Sequence, residues 1–215
     1  MTIEGTHESH HAAPLLIGCV IMASGLSRRF GRNKLVEDFQ GKPLIQRILD
    51  TTGDDIFARR VVVTRSEEVR QICEGQNIPV IMHELPGRND TVRFGIREMD
   101  GMDGCVFCPS DQPLLRRESL KRMTETFVQK GSGIFRLSYG EKQGTPILFG
   151  KEYFEELLHL PEKKGGSYLV KRYPEQVELI MAESELELFD IDTTEDLEWL
   201  KRCRMAFFAC AFNYF

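Results

Sequence analysis

Three arginines, a lysine, two glycines and two serines stand within Met22-Ala-Ser-Gly-Leu-Ser-Arg-Arg-Phe-Gly-Arg-Asn-Lys34, directly behind the apolar run Leu15 to Ile21. That mixture suits a polyanion. Backbone amides in a glycine-containing turn that leaves a strand can point at phosphate oxygens, and a helix beginning there would add the positive end of its dipole. The expected ligand is a nucleoside triphosphate. Spacing excludes two common phosphate loops. A Walker loop needs Gly-x4-Gly-Lys-Ser/Thr, whereas Gly31 is followed by Arg32, Asn33 and Lys34 with no hydroxyl after the lysine. A dinucleotide fingerprint needs Gly-x-Gly-x-x-Gly, and Met22 to Gly25 supplies one glycine.

Carboxylates suited to a divalent cation occur twice. Phe107-Cys-Pro-Ser-Asp-Gln-Pro-Leu-Leu115 follows an apolar run read as a strand, and the C-terminal ends of strands are where α/β sheets bind ligands. Magnesium takes one or two carboxylates together with phosphates and water, so Asp111 is the expected metal ligand. The alternative is a turn in which Asp111 caps the helix starting near Leu115. Phe189-Asp-Ile-Asp-Thr-Thr-Glu-Asp-Leu197 offers Asp192 as a second ligand, with Asp190 in reserve on the same face of an extended segment. Thr193 or Thr194 could cap the last helix, with Asp196 in its first turn.

These residues need a scaffold, and the chain alternates short apolar runs with amphipathic segments, the pattern of an α/β fold. Strands are expected at 15–22, 61–64, 80–83 and 105–108, the last central and buried on both faces because it is continuously apolar. Helices are expected at 43–50, 67–74, 91–99, 119–129 and 195–202, with apolar residues at helical spacing such as Leu44, Ile45, Ile48 and Leu49. Two short strands flanking Tyr139 to Gly144 suggest a hairpin between 134 and 149. With 215 residues and 41% hydrophobic content, the chain fits one large domain over 14–202. A flexible N-terminus (1–13) and an apolar tail (203–215) flank it.

Lys plus Arg number 28 against 33 Asp plus Glu, and the resulting charge of −5 argues against a nucleic-acid partner. No apolar stretch approaches the roughly eighteen residues of a membrane span, and the N-terminus lacks a signal-peptide layout, which predicts a cytoplasmic protein. The six cysteines are scattered. Cys105 and Cys108 form a Cys-x-x-Cys, but on a strand they would face opposite sides, which defeats chelation and disulfide closure. His7, His10 and His11 read as part of a polar terminus.

The Met22 to Lys34 stretch resembles the nucleotidyltransferase signature Leu-Ala-Ala-Gly-x-Ser-x-Arg-Met-Gly-x-x-Lys, with Ser24 for an alanine and Phe30 for the methionine. Ser110-Asp-Gln-Pro113 resembles Gly-Asp-Gln-Pro, with Ser110 for glycine, and the segment from Asp190 resembles Asp-Ile-Asp-Thr-Pro-Glu-Asp-Leu, with Thr194 for proline. Together these motifs, covering 15–202, resemble the molybdenum cofactor nucleotidyltransferase family, closest to its molybdopterin cytidylyltransferase branch. That branch begins with Leu-Ala-Ala-Gly where the guanylyl branch has Leu-Ala-Gly-Gly, and Met22-Ala23-Ser24-Gly25 is nearer the former.

The resemblance implies a three-layer α/β/α Rossmann-like domain with a mostly parallel sheet, and magnesium-dependent transfer of CMP from CTP to the terminal phosphate of molybdopterin. Arg29, Lys34 and Asp111 would be catalytic. Ala23, Ser24, Gly25, Ser27, Arg29, Lys34 and Ser110 would bind nucleotide, with Asp90, Thr91 and Gly95 near the base; an N-cap is the equally simple role for Asp90 or Thr91. Gly144-Thr145-Pro146 and the Gly165-Gly166 loop would lie on the acceptor side, Thr145 standing where histidine is usual. Lys163 and Lys164 suit an anion there or a solvated loop. Arg28 and Arg32 are additional cations. GTP, a different phosphate acceptor, or a noncatalytic role in delivering cofactor to a molybdenum enzyme are the alternatives. The aromatic tail would pack on the body, form a homodimer contact or meet a partner such as a recipient molybdenum enzyme.

Overall fold

The computed structural model describes residues 14–202; the histidines of the N-terminus and the aromatic tail lie outside the described residues. Among the described residues, nine strands and seven α-helices follow in order: β1 (Ile17–Ala23), β2 (Asp38–Phe39), β3 (Lys42–Pro43), α1 (Leu44–Thr51), β4 (Arg59–Thr64), α2 (Glu67–Glu74), β5 (Val80–Met82), α3 (Arg88–Arg97), β6 (Gly104–Pro109), α4 (Arg117–Lys130), β7 (Ile134–Tyr139), β8 (Lys142–Gly150), α5 (Phe154–Leu158), α6 (Ser167–Arg172), β9 (Val177–Met181) and α7 (194–202). Seven strands form one sheet in the order β5-β4-β1-β6-β8-β7-β9. β1 runs parallel to both β4 and β6, β4 to β5, and β7 to β9, while β8 is antiparallel to β6 and β7.

Alternation along the central strands divides the core into two layers. Cys19 and Ile21 of β1 and Val106 and Cys108 of β6 pack with α1, α2, α4 and α7 on one face. Val20, Cys105 and Phe107 pack with α3, α5 and α6 on the other. This is the expected α/β/α sandwich with a mostly parallel sheet. Cys105 and Cys108 face opposite layers as their strand spacing requires. The four described cysteines are free and buried.

Two features differ from the reading of the sequence. No α-helix follows the Gly25 loop: Lys34–Val36 is a single 3-10 turn capped by Asn33, and the chain then turns back through the β2–β3 hairpin. Gln40 and Gly41 at its tip have φ of 60° and 77°, the paired left-handed conformation of a tight hairpin. A helix dipole therefore cannot be credited to this loop. The 134–149 region is a hairpin, but β8 begins at Lys142, so residues 142–144 are strand and not loop.

Candidate active site

The loop after β1 is shaped from within. Ser27 takes a left-handed φ of 48°, and its carbonyl accepts from Phe30 N and Gly31 N at 2.9 and 3.1 Å. Its hydroxyl accepts from Lys34 N at 3.3 Å. Phe30 is buried, so the loop is anchored by an apolar plug while Gly25, Leu26, Arg28 and Arg29 remain exposed. A cavity of about 470 Å³ lies between this loop and the start of α2, lined by Gly25, Ser27, Arg28, Arg32 and Arg65 among others.

On the β6 side of the loop, Lys34 points inward and is 6% exposed. Its Nζ donates to Asp111 Oδ2 at 2.7 Å, to Ile191 O, and to Asp192 Oδ1 at 3.4 Å. Arg29 Nη1 lies 3.1 Å from the other oxygen of Asp192. Three segments far apart in sequence thus meet at one ammonium group. Buried charge of this kind persists only when paired and hydrogen-bonded.

The neighbours of each carboxylate explain why these two face the cleft. Ile191 N donates to Asp111 O at 3.0 Å, which holds the 189–192 segment against the end of β6. Thr193 Oγ1 accepts from Asp196 N at 3.1 Å, and Asp196 Oδ2 accepts from Thr193 N at 2.8 Å and Asp192 N at 3.0 Å. Thr193 and Asp196 therefore form the reciprocal cap of α7, leaving the Asp192 side chain free of capping. Asp190 is turned to Gln112, whose Nε2 donates to Asp190 Oδ1 at 2.9 Å and to Thr145 Oγ1 at 2.8 Å. Desolvation of this carboxyl, and next the charge of Asp111, raise its pKa above the ordinary value although the residue as a whole is exposed.

A divalent cation fits the donor set. The Asp111 and Asp192 carboxylates approach one point closely enough to share Lys34 Nζ, and no cluster of three or more His, Cys, Asp or Glu suited to a metal occurs among the described residues. Two carboxylates completed by phosphate and water are what magnesium takes.

Several other expected residues are occupied elsewhere. Ser110 donates its hydroxyl to Met22 O at 2.9 Å, tying β6 to β1. Asp90 Oδ2 accepts from Gly87 N at 3.1 Å and Oδ1 from Arg93 Nη2 at 2.7 Å, so it caps α3. A Cβ on Gly95 would lie 2.4 Å from Val20 Cγ1; Gly95 serves helix-to-sheet packing instead of reaching the cleft. A Cβ on Gly144 would likewise lie 2.8 Å from Leu188, and one on Gly166 2.9 Å from Phe149. Thr145, bonded to Gln112, does lie beside the carboxylates, and the 163–166 loop leans on α3 through Lys163 N to Asn89 Oδ1 at 2.9 Å. The sequence reading missed Gln112, Arg65 and His83; the last two immediately follow β4 and β5, and position at strand ends is the only signal they carry.

Residues 19–177 match the MobA-like NTP transferase domain. The chain belongs to that family. It is 26% identical over 186 residues to the probable molybdenum cofactor guanylyltransferase of Aquifex aeolicus, covering 84% of this chain and 88% of that one. It is 28% identical over 209 residues to the purine catabolism protein PucB of Bacillus subtilis, covering 88% and 98%. Among solved structures, Rv0371c from Mycobacterium tuberculosis superposes with a TM-score of 0.78 at 23% identity, over 87% of this chain and 98% of that chain. The chemistry of the MobA-like family is nucleotidyl transfer, and Arg29, Lys34, Asp111 and Asp192 are charged side chains that converge beside the loop after β1.

Proposed function

We propose that this MobA-like enzyme transfers CMP from CTP to the terminal phosphate of molybdopterin, releasing pyrophosphate, with magnesium as cofactor. The single observation that carries the reading is the meeting of Lys34, Arg29, Asp111 and Asp192 at the C-terminal ends of β1 and β6. Bound between Asp111, Asp192 and the triphosphate, magnesium would neutralise charge on the reacting oxygens. An oxygen of the acceptor phosphate attacks the α-phosphorus in line; the new P–O bond forms as the bond to the β-phosphate bridging oxygen breaks. The nucleophile is already an anion, so no general base is required. Lys34 and Arg29, now held by carboxylates, supply the positive charge that the triphosphate and departing pyrophosphate need. Gln112 keeps the Thr145 segment in register with the carboxylates, so the acceptor side is aligned with the nucleotide side.

Two things support CTP and the pterin acceptor. Ser24 carries a side chain where the guanylyl branch has glycine, and relatives over most of the chain are named for molybdenum cofactor nucleotidyl transfer. Those relatives are named guanylyltransferases, which makes GTP the second reading. The test is pyrophosphate release with magnesium and molybdopterin, comparing CTP, GTP and ATP on wild type and Asp111→Ala. CTP-selective release, reduced at least about 100-fold by the substitution, is expected. Release with GTP alone overturns the base assignment, and CTP binding without turnover favours a noncatalytic accessory role in supplying a molybdenum enzyme.

A further inference from the structure

Ser24 is held at more points than a loop residue requires. Its Oγ lies 3.0 Å from Val63 O and 2.7 Å from His83 Nε2. Its carbonyl accepts from Arg65 twice, from Nε at 2.9 Å and from Nη2. A serine hydroxyl has one hydrogen, and here it goes to Val63 O; His83 Nε2 must then be the donor in the second bond. His83 is itself fixed, with its backbone N–H on Thr64 O at 3.2 Å and its ring 5.1 Å from that of Phe94 on α3. Burial and the adjacent Arg65 favour its neutral form. Val63 of β4 and the residues just after β4 and β5, Arg65 and His83, therefore converge on one serine, at the position where related signatures carry alanine.

The peptide joining Ser24 to Gly25 is trans, since the one cis bond among the described residues is Thr145–Pro146. In a trans peptide the C=O and the following N–H point to opposite sides. With the Ser24 carbonyl turned to Arg65, the Gly25 N–H is turned away from it. Gly25 is exposed, nothing lies within 4 Å of where its Cβ would be, and its N–H has no partner among the described residues.

We propose that Arg65 and His83 are positioning residues of the nucleotide site: by clamping the carbonyl and hydroxyl of Ser24 they fix the 24–25 peptide so that Gly25 N–H is presented to a phosphate oxygen of the bound triphosphate. The proposal rests on the nucleotidyltransferase reading. It assigns the serine at this position a mechanical purpose, because an alanine could not engage His83. Pre-orienting one amide removes the cost of turning it at the moment of binding.

Calorimetric titration with magnesium and CTP, and separately GTP, in the absence of acceptor tests this. Arg65→Met and His83→Leu should weaken binding of whichever nucleotide wild type takes by about 10- to 100-fold, the worth of one hydrogen bond to a charged group. His83→Gln, which can still place a donor near Ser24 Oγ, should recover to within about threefold of wild type. Ser24→Ala carries the test if His83→Leu fails to fold, and should weaken binding several-fold. Binding of the bare nucleoside, followed by NMR at millimolar concentration, should be unchanged in Arg65→Met and His83→Leu, because the amide addresses phosphate. Folded variants that bind triphosphate like wild type, or that lose nucleoside and triphosphate equally, overturn the clamp. Failure of wild type to bind either nucleotide overturns the underlying reading instead.

Discussion

Gly95 offers a decisive contest between helix propensity and packing. In the interior of α3, glycine costs about 1 kcal/mol relative to alanine, so Gly95→Ala would stabilise an unencumbered helix. Here the added methyl would sit 2.4 Å from Val20 Cγ1, 2.8 Å from Cγ2 and 3.2 Å from Cβ. Ordinary carbon contacts are about 3.5–4.0 Å, so the deficit is roughly 1 Å. Rotating Val20 about χ1 can turn away only one methyl, leaving the other and the branch carbon too close, and Val20 is flanked by Val61 and Phe107 in the sheet. Overpacking of this kind costs about 1–3 kcal/mol beyond any propensity gain. At about 2–4 °C per kcal/mol for a chain of this length, a Tm loss of several degrees is expected. Urea unfolding of Gly95→Ala, Val20→Ala and the double variant would isolate the contact: the double should be less destabilised than the sum of the singles by about 1–2 kcal/mol. Gly95→Ala equal to or more stable than wild type, or strictly additive singles, would refute the packing argument. Nucleotide affinity of the rescued double variant should match wild type, since Gly95 does not face the cleft.

Glu187, 1% exposed, accepts from Ser119 Oγ at 2.6 Å, Arg116 N at 3.2 Å and Glu183 N at 2.9 Å. Glu187→Gln turns an NH2 toward donors on one side and should cost about 1–3 kcal/mol, read as a lowered urea midpoint; an unchanged midpoint would contradict it. His83, facing Arg65, Asp90 and the Phe94 ring, has a pKa lowered from 6.5, chiefly by burial. The unfolded chain therefore takes up its proton first as the pH falls. The stability that His83 contributes is complete above pH 6.5 and is lost as the pH drops from there through the lowered folded value. A Tm profile should decline over that window, and His83→Gln should flatten this part of it; an equal decline in the variant would exclude His83 as the source.

Much of this was legible because the central strands are buried on both faces and so read as unbroken apolar runs, as in Val61 to Val63 and Cys105 to Cys108. β9 escaped because an edge strand with Glu178 and exposed Leu179 and Met181 has no such run. α5 and α6, with 5 and 6 residues, are too short to display a helical period. At the site, Lys34, Asp111, Asp192 and Arg29 could be chosen from charge and motif, and they do converge. Glycines are harder to read: Gly95, Gly144 and Gly166 carry no chemistry of their own, and only their neighbours reveal that each lets another side chain approach. Arg65 and His83 could not be found from local pattern, since each meets Ser24 across 41 and 59 residues of chain.

The strand order has a consequence for how such enzymes diversify. Every strand on the β5 side of β6 comes from residues before 104, and every strand on its other side comes from residues after 130, so the strands pass from one half of the sheet to the other once. Under the proposed function, one half of the gene encodes the nucleotide wall and the other the acceptor wall. Halves exchanged between homologues at the turn following Asp111 would have two seams to match, the β6–β8 strand pair and the return segment Asp190-Ile191-Asp192, which carries ligands of Lys34 back across the divide. New acceptors could then be acquired by recombination without relearning how to hold a triphosphate.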